Sequence, residues 1–174
     1  MRWNLLNRKI HYWATAAVGV PVLIIIGTGL LLQLKKQWAW VQPPERRGTG
    51  TAPVIDLPRI LEAVRNVPDL NVRGWDDVNR IDLRPGRGMA KVWLRSGWEV
   101  QVDLGTGAVL QSAYRRSDLL ESIHDGSFFG GDLTKLAVFL PAGVVLLIMW
   151  ASGLWMFVYP FIGRYKLRKR MSRN

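Results

Sequence analysis

The 174 residues hold two histidines and no cysteine, and those counts bound the chemistry first. Without thiols, disulfides, thiolate zinc sites, Cys-ligated iron–sulfur clusters and covalently attached c-type haem are excluded. A zinc site built from one chain would need mostly carboxylate ligands, against that metal's preference for nitrogen and sulfur. His11 and His124 remain as the chain's only imidazoles. Asp76 with Asp77, and Glu121 with Asp125, are the carboxylate pairs that acid/base chemistry would use. No nucleophile or ligand set accompanies them, so they read as solvated surface groups. No Gly-rich phosphate loop, Ser/His/Asp set or nucleic-acid motif occurs. The expectation is a non-enzymatic chain.

The elements that carry these residues are set by two apolar runs. Residues 11–34 form a 24-residue stretch without Lys, Arg, Asp or Glu, and residues 136–163 form a second of 28. A spanning helix needs about 20 apolar residues. Neither run carries the polar stripe of a globular surface helix. The first is too long for the apolar region of a signal peptide and is followed by Lys35-Lys36-Gln37-Trp38 rather than a small-residue cleavage site, so it reads as a retained helix.

The net charge of +11 suggests nucleic acid until it is located. Residues 1–10 carry three basic residues and residues 164–174 carry six, with no acid in either tail. All 13 acids lie between Lys35 and Lys135, among 15 basic residues, so the middle is only +2. By the positive-inside rule both tails are cytoplasmic and residues of about 36–135 lie outside. Lys35 and Lys36 are accommodated by snorkelling at a helix end. Trp13, Trp38, Trp40, Trp155 and Tyr159 fall where interfacial aromatic anchors belong.

Between the spans, residues 35–55 read as a linker rich in Pro and Gly. Asp56 is placed as an N-cap with Pro58 in the first turn, and Leu57, Ile60, Leu61 and Val64 follow one helical face. Strand signals then run through Ile81 and Leu83, residues 89–95, residues 98–103 and residues 108–114, separated by turns at 85–88, Ser96-Gly97 and residues 105–107. The fold class expected is a membrane α+β protein. Two transmembrane helices flank a small extracytoplasmic domain, residues 56–115, with one helix on a three- or four-stranded antiparallel sheet. Residues 116–135 are a short interfacial helix and loop.

Several of these segments resemble one family. Trp98-Glu99-Val100-Gln101-Val102-Asp103 followed by Thr106-Gly107-Ala108-Val109-Leu110 is similar to the final hairpin of a PepSY domain. Arg8-Lys9-Ile10-His11-Tyr12-Trp13 resembles the start of the PepSY-associated transmembrane helix. So does His124-Asp125-Gly126-Ser127-Phe128-Phe129-Gly130-Gly131, just before the second span, with Ser152-Gly153-Leu154-Trp155 within it. The resemblance covers nearly the whole chain. It implies a bacterial inner membrane with a periplasmic domain. Larger relatives include siderophore-iron reductases that hold b-type haem through membrane-helix histidines, and other PepSY domains bind or inhibit peptidases. This chain departs from the reductases in having only two spanning helices.

His11 stands at the cytoplasmic start of the first span and His124 outside, before the second. Over 24 helical residues the membrane faces are about 36 Å apart, so one chain cannot give both imidazoles to one haem. Each would need a ligand from another chain. The alternative for His11 is a headgroup anchor, with Ala14, Thr15, Val18 and Gly19 packing the two helices together. The alternative for His124 is a histidine held by Asp125 or Asp118. Trp75, Trp93 and Trp98 are candidates for a partner-binding patch or, equally, for the core of the small sheet, and Phe128 and Phe129 for the outer interface. The leading expectation is a PepSY accessory or interaction subunit of a membrane redox or iron-uptake complex. It would have the bilayer and other membrane subunits, or its own copies, as partners, with no cofactor and no nucleic acid. The alternatives are a small b-haem electron carrier and a peptidase-modulating module.

Overall fold

In a computed structural model the backbone is described for residues 2–50 and 52–171, and side chains for residues 6, 8–50 and 52–161. The side chains of Arg2 and of the basic tail from Arg164 onward lie outside the described residues. Each apolar run becomes a helix: α1 spans Arg2–Gln33 and α5 spans Leu140–Met171. The stretches Arg8–Gln33 and Ser127–Phe161 are long and apolar enough to cross a membrane. Both begin earlier than the uncharged runs. Helical backbone continues through Arg8, Asp132 and Lys135, where a count of charge stops.

Val20 and Leu23 on α1, and Leu147, Ile148 and Trp150 on α5, are each more than half exposed. Helices apolar on all sides belong in lipid or against other apolar surfaces. Pro21 and Pro160 sit inside these helices. Each removes a backbone donor, a defect tolerated in membrane helices.

The chain divides into two compact units, Met1–Thr28 with Ser122–Asn174, and Gly29–Glu121. In the first, α1 and α5 run antiparallel, since His11 meets Ser152 and Thr28 meets His124. α5 is preceded by the segment α4 (Ser127–Thr134), whose helical backbone is interrupted by a kink at Gly130 and Gly131, and a π-helical turn (Lys135–Phe139).

The second unit holds α2 (Leu57–Arg65) and an antiparallel meander of four strands: β1 (Val78–Arg84), β2 (Met89–Leu94), β3 (Trp98–Asp103) and β4 (Val109–Tyr114). α3 (Arg116–His124) follows β4. α2 starts where its cap dictates: the Asp56 carboxylate accepts the Arg59 N–H at 2.9 Å. Its Ile60, Ala63 and Val64 pack on Val92, Val100 and Val102, with Ala90, Leu94, Leu104 and Val72 completing the core. Each fully buried aliphatic side chain stabilises by roughly 1.5–3 kcal/mol.

Register fixes the opposite face. Lys91 pairs with Gln101 and Gln101 with Gln111, while Val92 pairs with Val100 and Val100 with Ser112. Strand alternation therefore sends Lys91, Glu99, Gln101 and Asp103 to the face away from α2, where all four are buried. The cover is the segment expected to be a linker. It forms no helix or strand, but it is strapped along the sheet. Arg46 N–H donates to Gln101 Oε1 at 2.7 Å, Gly48 N–H to the Arg87 carbonyl at 2.9 Å, and Val54 N–H to the Leu104 carbonyl at 3.0 Å. A Cβ at Gly48 would collide with the Gly88 carbonyl, so the close backbone approach depends on that glycine.

Candidate functional site

His11 lies on α1 and His124 ends α3, and each meets a hydroxyl on another helix, Ser152 on α5 and Thr28 on α1. His11 Nε2 lies 2.8 Å from Ser152 Oγ, and His124 Nδ1 lies 3.0 Å from Thr28 Oγ1. Each hydroxyl is also within reach of its own helix: Ser152 Oγ lies 3.0 Å from the Met149 carbonyl, and Thr28 Oγ1 2.6 Å from the Ile24 carbonyl.

This arrangement tests the residues against a haem. Thr28 is 17 residues beyond His11 along α1, so the two imidazoles are about 25 Å apart. They do not fit one bis-histidine haem within a chain. In each imidazole one nitrogen meets a hydroxyl, the pattern by which an outer hydrogen bond orients a ligating ring. Each histidine alone is half of such a site.

The segment from His124 to Lys135 is locally pinned. Asp125 Oδ1 accepts the Ser127 N–H at 2.9 Å and Asp125 Oδ2 meets Lys135 Nζ at 2.7 Å. The Lys135 ammonium, helped by Ser127, holds the Asp125 carboxyl down at about 2. Gly126 has φ +83°, and a Cβ there would fall within the Phe139 ring. The Thr134 hydroxyl donates to the Gly126 carbonyl at 2.6 Å. Phe129 stacks on Phe139 at 5.8 Å, and Phe128 meets Phe129 edge-on at 5.4 Å. Both Phe128 and Phe129 keep more than half their surface exposed.

In the second unit the sheet separates the tryptophans proposed as a patch. Trp98 lies on the α2 side, against the core and 6.1 Å from Tyr114. Trp93 lies on the opposite face between two guanidinium groups, Arg80 at 3.5 Å and Arg115 at 3.8 Å from its ring. Its Nε1 is buried without a hydrogen-bond partner in the described structure. Trp75 stands on a short turn before β1 and is nearly half exposed. Trp38 and Trp40 pack together at 5.4 Å, and Trp155 lies 6.1 Å from Tyr159.

The carboxylates behave as structural groups. Asp77 accepts the Arg73 N–H at 2.7 Å, which with the Gly74 N–H lowers its pKa. Glu121 pairs with Lys35 at 3.4 Å. The groups missed by sequence reasoning are Glu45, Lys91, Glu99 and Arg115. Lys91 Nζ lies 3.0 Å from Glu45 and 3.9 Å from Glu99, and Glu99 takes Arg115 at 2.6 Å and the Gln101 amide at 2.7 Å. The one signal in the sequence was the pair Gly48 and Gly50, spaced for a close approach by the preceding segment.

A groove of about 590 Å³ opens in the first unit, lined by Arg8, Lys9, His11, Tyr12 and Met156. Among known protein families, characterised proteins and solved structures, none matches this chain.

Proposed function

We propose that the chain is a PepSY-type accessory subunit of a bacterial inner membrane. It holds both termini in the cytoplasm and residues of about 36–135 in the periplasm. The α/β unit is a non-enzymatic interaction module for another subunit of a redox or iron-uptake complex. The observation that carries this reading is the exposure of apolar side chains around both long helices, from Val20 and Leu23 to Leu147 and Ile148. Such surfaces need lipid or a neighbouring membrane helix to cover them. The distribution of charge supplies the orientation, and exposed Trp75 supplies a contact of the type enriched at interfaces.

The absence of cysteine makes the topology simple to test. Val54→Cys places a thiol at a position 77% exposed. In spheroplasts an impermeant maleimide should label Val54→Cys from outside and label Lys9→Cys only after lysis. The reverse pattern sinks the orientation. Pull-down in mild detergent at native expression should recover a stable membrane complex, and recovery of the free chain alone counts against the accessory role.

A second reading has one specific observation behind it: the His124 imidazole is held at Nδ1 by the Thr28 hydroxyl, as an outer hydrogen bond orients a ligating ring. A b-haem electron carrier would need its second ligand from another chain. A Soret band in the visible spectrum of detergent-purified protein from haem-replete cells supports this reading, and a colourless preparation eliminates it.

A further inference from the structure

The groove at the start of α1 plays no part in the proposal above. Arg8, Lys9, His11 and Tyr12 line it from α1, and Met156 lines it from α5. Its position follows from the His11–Ser152 contact. The helices meet there, and one turn further Arg8 and Met156 frame the open space.

Charge gives the groove its character. Arg8 and Lys9 are exposed, and residues 1–44 and 133–174 contain no Asp or Glu. The acids of this unit, Asp125 and Asp132, follow His124, whose contact with Thr28 lies about 25 Å along α1 from His11. Asp125 is already paired with Lys135. The two cations therefore lack a counter-charge from their own unit. Beside them the Tyr12 ring and the Met156 thioether form an apolar wall, with Tyr12 braced edge-on against Trp13 at 5.4 Å. Cations next to an apolar wall, at the end of a membrane-length helix, match the junction between a phosphate headgroup and its acyl chains.

We propose that this groove is a discrete site for one anionic phospholipid. The phosphodiester lies against Arg8 and Lys9, and Tyr12 and Met156 receive the first acyl carbons. This rests on the membrane-anchored reading. It differs from the general attraction of a basic tail for an anionic surface, which adds about 1 kcal/mol per basic residue wherever that residue sits. A built groove saturates and responds to its shape.

The test uses the full chain in mild detergent, with phosphatidylglycerol, phosphatidylcholine and inorganic phosphate as probes and bound lipid counted by native mass spectrometry. One phosphatidylglycerol should be retained per chain, and neither phosphatidylcholine nor inorganic phosphate should displace it. Arg8→Gln with Lys9→Gln should weaken retention by about tenfold or more. Met156→Trp, which fills the groove and leaves every charge in place, should do the same. The triple variant Arg168→Gln, Lys169→Gln, Arg170→Gln removes more charge and should retain the lipid. Unsaturable binding, or equal losses from tail and groove variants, overturns the site in favour of diffuse attraction. Displacement by inorganic phosphate overturns the lipid assignment. Alkaline carbonate extraction separates the two readings. Chain left in the membrane pellet without retained phosphatidylglycerol defeats the groove alone. Chain released to the supernatant defeats the membrane anchor and the groove with it.

Discussion

Arg115 Nη1 meets Glu99 Oε2 at 2.6 Å, and almost none of either side chain reaches water. Burial alone would disfavour the charged guanidinium. The Asp118 and Glu99 carboxylates outweigh it and raise the Arg115 pKa above its ordinary value. Glu99 also faces Lys91, so one buried carboxylate serves two buried cations, which also keep Asp118 and Glu45 beside them. Removing one member of a buried ion pair typically costs about 3–5 kcal/mol when its partner is left uncompensated. With Asp118 and Glu45 still in place, Glu99→Ala should destabilise the α/β unit by about the lower end of that range. Urea unfolding of the full chain in detergent, followed by tryptophan fluorescence, measures it. A loss under about 1 kcal/mol, the range of an exposed pair, would mean that Glu99 is solvated. Glu62→Ala, which breaks the exposed 2.7 Å pair with Arg59, is the internal comparison. It should stay within that exposed range.

Asp103 sets an acid limit on the same unit. Burial raises its pKa, but the N–H groups of Gly105, Thr49 and Thr106 and the Thr49 hydroxyl outweigh burial and lower it from 3.8 to about 2. A carboxyl held lower in the folded chain than in the unfolded chain stabilises at neutral pH. That contribution is present above about pH 4 and is lost as pH falls toward 2. That difference corresponds to at most about 2.4 kcal/mol. The urea midpoint should fall across this window, and Asp103→Asn should lower it at pH 7 and flatten the acid limb. An unchanged slope between pH 4 and 2 would remove Asp103 from the account.

The order of elements was legible from the chain because it rests on local signals. Asp56 and Pro58 mark the start of α2, alternation marks the strands, and Ser96-Gly97 marks the central hairpin. Those signals give a meander of three or four strands, and the sheet has four. The strap was not legible, since Pro43, Pro44, Gly48 and Gly50 suit a free linker as well as a bound one. The inward charges failed for the same reason. Lys91, Glu99, Gln101 and Asp103 alternate with apolar residues as a solvated face would, and only the strap shows that they are buried. Trp93 and Trp98 suit a partner patch or the core equally by residue type, and the hairpin between them puts them on opposite faces, with Trp98 against the core. The histidine contacts to Ser152 and Thr28 depend on how two helices rotate against each other, which residues apolar on every side do not specify.

The two imidazole–hydroxyl contacts should each stabilise the helix pair modestly. Side-chain hydrogen bonds between membrane helices contribute about 0.6 kcal/mol on average. Ser152→Ala and Thr28→Val remove one contact each. Thermal unfolding in detergent should show small losses that add in the double variant, because the contacts are far apart along α1. Strong non-additivity would mean that the helices respond as one element. A loss only in Thr28→Val would mean that the His11 contact is not populated.

Gly126 has two separate reasons to be glycine, and they can be measured apart. Its φ of +83° is strained for any other residue, and a Cβ would enter the space of the Phe139 ring. Gly126→Ala should therefore cost more than the roughly 1 kcal/mol expected from the left-handed backbone alone. In a Phe139→Ala background the ring is absent and only the backbone cost should remain. The double-mutant cycle then gives a coupling of about 1 kcal/mol or more with the sign of rescue. Zero coupling would place the Phe139 ring away from Gly126, and with it would go the account of why this glycine precedes Ser127-Phe128-Phe129.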